Sequence, residues 1–222
     1  MRNSKLTPVI LLLPLMAVTL TVIIACVNVL LQSIGYVPAF GLTKITLGYY
    51  REVFKRPEFL SALWVSLRIA FVSTLLAAAL GTLLCAALVK RRAGGGMLYT
   101  VRFPILVPHT VVALFIMTLL GQTGIVARAA YGLGLISDYT KFPPILFTPG
   151  YGGAIAGYLW KEIPFVAYYT LALMASVSNT LGEAAENLGA SPLRSFFSVT
   201  LPMSLPAVSK AALIIFIYAF GG

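Results

Sequence analysis

Apolar positions dominate the chain in long runs, and polar residues collect between them. A helix rises ~1.5 Å per residue and a bilayer's hydrocarbon core is ~30 Å thick, so about 20 apolar residues make one crossing. The runs 8–31, 60–89, 103–120 and 150–178 meet or approach that length, and a fifth begins near 207 and is still apolar where the sequence stops at AFGG. Runs of that length read as membrane-spanning helices, so the predicted class is all-α, a polytopic membrane helical bundle. From 207 to 220 a helix would rise only ~21 Å, which leads us to expect a chain truncated at its C-terminus. A single transmembrane domain over 1–222 is expected.

The segments 32–59 and 121–149 carry Gly, Pro, Tyr and mixed charge, and 49–54 is predicted to form a short interfacial helix with tyrosines at headgroup depth. Gly94-Gly95-Gly96 reads as a flexible turn. The start, MRNSK before an apolar run, has the charge arrangement of a secretory signal but too long a run, so it is read as a retained first helix.

Composition agrees: 59% of residues are hydrophobic and 10% are charged. The net charge of +10 suggests a nucleic-acid partner at first sight, but the cations sit at the ends of apolar runs and form no basic stripe, which excludes one. With a cytoplasmic N-terminus, Arg2, Lys5, Lys90, Arg91, Arg92, Arg102, Arg194 and Lys210 lie inside, against Lys44, Arg51, Lys55, Arg56, Arg128 and Lys141 outside. The cluster at 90–92, in the shortest loop, favours that orientation. Arg68 reads as an interface residue that snorkels. Cys26 and Cys85 fall within apolar runs and are read as small packing residues rather than a disulfide.

One stretch, GEAAENLGASPLRSFFSVTLPMSLPAV (182–208), interrupts this pattern on the inside face. Thr180 and Glu183 have capping-box spacing and predict a helix restart. Gly189 predicts a left-handed stop, and Ser191-Pro192 a second start. Leu201-Pro202 and Leu205-Pro206 are expected to close the second helix. Two short helices at a glycine hinge, with small alanines on the first, suit a docking element at 179–206. An amphipathic loop resting on lipid headgroups would look the same by pattern.

The spacing Glu183-Ala184-Ala185, three residues, Gly189, nine residues, Val199, one residue, Leu201-Pro202 resembles the EAA signature of ABC importer permease subunits, with Val199 where the family pattern has Ile. Pro104-x-x-x-Pro108, Trp160-Lys161-x-x-Pro164-Phe165 and TLGYYREVF resemble the subgroup handling polyamines, ferric iron, sulfate and phosphonates. The resemblance implies a type I ABC importer permease-like fold in the cell membrane, with about five spans present of an expected six. It also implies ATP hydrolysis on separate cytoplasmic ABC ATPase subunits, a second permease subunit (a heterodimer in preference to a homodimer) and an extracytoplasmic solute-binding protein. Within the EAA stretch, Ala184 and Ala185 would allow close approach to the ATPase. Glu183 would cap the helix and contact the partner, and Gly189 would permit the bend.

The chain binds no ATP by a P-loop of its own, since none of its seven lysines follows a glycine. With six carboxylates, one histidine and no Ser or Cys paired with a base, it has no enzymatic constellation, and no cofactor or metal is expected. Lys161 and Glu162 fall mid-span, where a charge costs roughly 2.5–3.5 kcal/mol on insertion scales. Adjacent helical residues point ~100° apart, so each must find a partner elsewhere, on another helix or in a watery pathway. His109, the only histidine, follows Pro108 and reads as a hydrogen-bonded packing residue. Pro104, Pro108 and Pro164 interrupt helices within the membrane. The competing reading is an ion-coupled secondary transporter or channel using Lys161 and Glu162.

Overall fold

The computed structural model describes residues 7–221. Arg2 and Lys5, cited above for orientation, and Gly222 lie outside the described residues. All regular structure described is helical apart from one isolated bridge, Val37 to Leu42. The chain forms two compact units, Met1–Leu63 and Trp64–Gly222, with the boundary inside one long helix.

In the first unit, α1 (Thr7–Ser33) is apolar on every side, and its described side chains are almost all exposed. Such a helix has no soluble role, because only a hydrocarbon surround matches all its faces. Cys26 is exposed on it and unpaired. The predicted interfacial helix is present as α2 (Gly48–Lys55), tied to the end of α1 by the Tyr50 hydroxyl donating to Ser33 Oγ at 2.8 Å.

The second unit is built around α7 (Gly152–Val177), with α3 (Pro57–Lys90), α4 (Gly95–Leu106), α5 (His109–Leu120) and α10 (Leu201–Gly221). α4, α5 and α10 all pack against α7. Its faces are small or branched where neighbours arrive: Ala77, Val166, Ala211 and Ile215 form one buried cluster, and Cys85, Leu88, Ala167 and Met174 another. Lipid offers no hydrophobic drive between helices, so close approach through small residues supplies the attraction. At Gly81 of α3 an added Cβ would lie 2.6 Å from Val166 Cβ and 2.8 Å from the Ile163 carbonyl. Cys85 is buried and unpaired, as expected of a small packing residue.

Four helical segments are long and apolar enough to cross a membrane: Ile10–Ser33, Pro57–Lys90, His109–Gly132 and Pro192–Gly221. α7 has the length, 26 residues or ~39 Å, but is more polar. Its position in the middle of the unit explains this, since protein rather than lipid covers it.

The structure corrects three expected boundaries. The run 103–120 is not one helix: α4 and α5 are separate, broken at Val107-Pro108 as the Pro108 interruption predicts, whereas Pro104 and Pro164, also expected to interrupt, lie inside α4 and α7. The glycine run is not wholly a turn, for Gly95 and Gly96 already belong to α4, with Gly94 as its cap residue. The segment 121–149 also contains α6 (Ile125–Gly132).

Candidate functional site

The interrupted stretch begins without an interruption. α7 runs straight into a π-turn, Ser178–Gly182, and then into α8 (Glu183–Asn187). The expected capping box is therefore absent. With the helix continuous, the Thr180 hydroxyl bonds back to the Ser176 carbonyl at 2.8 Å, and no side chain caps α8. Glu183 instead reaches outward, its Oε1 3.8 Å from Arg92 Nη2 at the end of α3, an exposed pair of small energetic weight.

Gly189 behaves as the pattern predicts. It sits at φ +95°, its N–H donates to the Glu186 carbonyl at 2.9 Å, and the next N–H, of Ala190, donates to Ala185 at 3.0 Å. Those two bonds are the Schellman termination, which requires a left-handed residue at Gly189. Ser191 then caps α9 (Pro192–Ser195), accepting from the Arg194 N–H at 3.3 Å with Pro192 in the first turn. A second π-turn, Phe196–Thr200, leads into α10. Leu201-Pro202 and Leu205-Pro206 do not close anything: both pairs lie within α10. Pro202 directly follows the π-turn within the continuous helix Pro192–Gly221.

The arms of this lever are braced at their base. Ser195 Oγ, buried, donates to the Gly182 carbonyl at 3.0 Å, and a Cβ on Gly182 would touch Thr200 Oγ1 at 3.4 Å and Ser195 Oγ at 3.5 Å. The two π-turns thus pack on each other through small polar residues, and the tip projects. Ala184 and Leu188 are exposed, the latter by 90%, and Ala185 and Val199 are half-buried. The pattern contained no sign of the bracing. Its only trace was the small residue at 182 facing Ser and Thr thirteen and eighteen positions later.

Lys161, Glu162 and His109 come together with two groups that sequence reasoning did not find. Lys161 Nζ donates to the Val107 carbonyl at 2.7 Å and lies 3.1 Å from His109 Nδ1. The Tyr218 hydroxyl of α10 is 3.0 Å from the same nitrogen. His109 Nε2 lies 3.4 Å from Glu162 Oε1, too poorly aligned to count as a hydrogen bond. Lysine and the phenol donate, so Nδ1 accepts, and the network assigns the neutral tautomer with the proton on Nε2. Adjacent positions on α7 therefore straddle the α4–α5 break. Lys161 sits at the C-terminal, negative end of α4, and Glu162 beside the first residue of α5, the positive end. Lys161 thus meets the negative end of α4, Glu162 faces the imidazole of the residue that starts α5, and the two formal charges balance.

Beside this cluster lies a cavity of about 760 Å³ between α5, the first turns of α7 and the segment before it, lined by His109, Ile116, Phe147, Tyr151, Gly157 and Tyr158 among others. Phe147 and Tyr151 both hold positive φ, at 56° and 54°. Among the described residues no group of His, Cys, Asp or Glu is arranged to hold a metal ion.

Residues 78–222 match the family model of the binding-protein-dependent transport system inner membrane component. The chain belongs to that family. Among its relatives, the putrescine transport system permease protein PotI of Escherichia coli K12 is 27% identical over 175 residues, covering 76% of this chain and 55% of the relative. The sn-glycerol-3-phosphate transport system permease protein UgpA of Pectobacterium atrosepticum is 28% identical over 232 residues, covering 98% and 74%. The fold matches a bacterial alginate ABC transporter solved in complex with an alginate pentasaccharide-bound periplasmic protein, with a TM-score of 0.69 at 21% identity over 95% of this chain and 74% of that one. The chain spans just over half the length of PotI. As a family member it is a multi-pass inner membrane component of the binding-protein-dependent transport type, and the names of its relatives span several substrates.

Proposed function

We propose that the chain is a permease subunit of an ATP-driven importer, forming part of a solute pathway and coupled through the lever at 179–206 to ATPase subunits in the cytoplasm. ATP is used by those partners. One observation carries the reading: a projecting tip, bent at Gly189 and braced at Ser195 and Gly182, continues into α7 on one side and α10 on the other. A force applied to a tip so held moves two core helices as levers, whereas a loose loop on headgroups would absorb it. Glu183, Ala184, Ala185 and Gly189 form the contact and the bend. Val199, Leu201 and Pro202 form the root of the outgoing helix.

The N-terminus is placed in the cytoplasm, so that Lys90, Arg91 and Arg92 share the lever's side. A second permease subunit, most suitably a different chain, would complete the pathway, and an extracytoplasmic solute-binding protein would feed it, as the alginate neighbour's periplasmic protein suggests. The ion-coupled alternative fits less well, because Lys161 is already held by the Val107 carbonyl at the end of α4 and Glu162 faces His109.

The test is a cysteine at Ala185 in a chain whose Cys26 is replaced by Ala. A short bifunctional crosslinker applied to native membranes is expected to join Ala185→Cys to the ATPase subunits, and ATP depletion to abolish uptake. Crosslinks to lipid alone, or uptake that continues without ATP and collapses with the ion gradient, would overturn the reading.

A further inference from the structure

His109 is held unevenly. An imidazole acceptor nitrogen has one lone pair, yet two donors, Lys161 Nζ at 3.1 Å and Tyr218 Oη at 3.0 Å, converge on Nδ1. The other nitrogen is in the opposite position. Nε2 is buried and has no aligned partner, although a carboxylate oxygen of Glu162 lies only 3.4 Å away. A buried polar group short of its bond by a few tenths of an ångström costs free energy that a small ring movement recovers. Lys161 does not depend on the imidazole, since the Val107 carbonyl holds it at 2.7 Å. Tyr218 is the group with freedom: it is half-exposed, and its ring lies against the imidazole at a centroid distance of 4.5 Å.

Tyr218 also stands on a particular helix. α10 begins at Leu201, directly after the lever's second π-turn, and seventeen residues of continuous helix, ~26 Å, separate that root from Tyr218. The imidazole it touches is part of the wall of the 760 Å³ cavity, beside Tyr158 at 5.9 Å between ring centroids.

We propose that His109 has two positions and that Tyr218 selects between them. With Tyr218 docked, the ring is drawn to the position described, sharing Nδ1 between two donors. When α10 carries the phenol away, the ring turns so that Nε2–H closes on Glu162, and the cavity wall changes with it. Tyr218 is then a positioning residue that carries the placement of α10 to the cavity. The proposal rests on the lever reading only for what moves α10; the two positions of His109 stand on the geometry alone.

The single histidine makes the experiment direct. The chain is labelled with [15N]histidine, placed in bilayers of phosphatidylethanolamine and phosphatidylglycerol, and read by solid-state NMR. Wild type is expected to give an acceptor-type Nδ1 and a protonated Nε2. Tyr218→Phe, which keeps the ring and removes the hydroxyl, is expected to move the Nε2 resonance toward a stronger hydrogen bond. Glu162→Gln, which weakens the competing acceptor, is expected to move it the other way. General loosening of the fold would not produce opposite shifts.

A cysteine at Gly157, on the cavity wall, supplies the second readout in the Cys26→Ala background. Its reaction with a small methanethiosulfonate is expected to change about three- to tenfold in rate with Tyr218→Phe, the range one hydrogen bond supports. A protonated Nδ1 in wild type overturns the proposal. So do unchanged resonances together with an unchanged rate in Tyr218→Phe. Neither result touches the lever, because no ATPase is present, and a failure of the Ala185 crosslink would leave these signals as they are.

Discussion

Gly189 is the residue at which backbone chemistry decides most. Its φ of +95° is needed for the two hydrogen bonds that end α8, and an added Cβ would meet nothing within 4 Å. Space is therefore not the constraint; the left-handed backbone is. Gly189→Val is expected to weaken the termination by about 1–2 kcal/mol, and Gly189→Asn by much less, because Asn visits this region readily. If the lever transmits force, ATP hydrolysis should continue in membranes carrying the Gly189→Val chain while uptake falls, with the Asn variant close to wild type. Equal uptake in all three would argue that the bend has no mechanical role. The same distinction between local chemistry and context applies to Lys161 and Glu162. Their types demanded partners, but only the broken helix shows where these lie: Lys161 reaches the carbonyl that ends α4, and Glu162 faces the imidazole of the residue that starts α5.

At the scale of elements, α7 is the piece on which the others depend, and the glycines facing it separate contact from spare room. Gly81 of α3 lies so close to Val166 and the Ile163 carbonyl that even a methyl group forces the helices apart. Gly157 of α7 has only Ile116 and Val112 side chains at 3.8 Å, ordinary contact. Gly81→Ala is expected to lower stability by about 1–3 kcal/mol, and Gly157→Ala to leave it unchanged or slightly raised. Thermal unfolding in detergent checks both, and equal midpoints for the two variants would contradict the packing of α3 on α7. The prolines divide in a similar way. Pro108 stands at a break between two helices, whereas Pro202 follows a π-turn within a helix that runs on from Pro192 to Gly221.

For the whole molecule, the ends of α7 should open to opposite sides of the membrane. Leu188 and Phe147 are each 90% exposed, one beyond the C-terminal end of α7 and the other before its N-terminal end. In the Cys26→Ala background, Leu188→Cys is expected to react with a membrane-impermeant maleimide only in inverted vesicles, and Phe147→Cys only in intact spheroplasts. Labelling of both from one side would show that α7 does not cross, and the reverse pattern would place the lever outside. The family match and the shared fold speak for a crossing helix, as the apolar run 150–178 does, although α7 is less apolar than the four segments named above.

Much of this was legible in residues 182–202. Left-handed stops, Ser-Pro starts and apolar run lengths are local properties of the backbone and of side-chain solvation, so the glycine hinge, the second helix start and the membrane class followed from sequence alone. Where a helix truly ends was not local. The capping spacing at Thr180 lost to a helix that packing kept continuous, and Pro108 marked a break in the run 103–120 without showing that Lys161 reaches it from 54 residues away. The meeting of Tyr218 with His109 across 109 residues was likewise beyond any pattern, since a hydrogen bond between helices depends on how they cross and not on the spacing along either one.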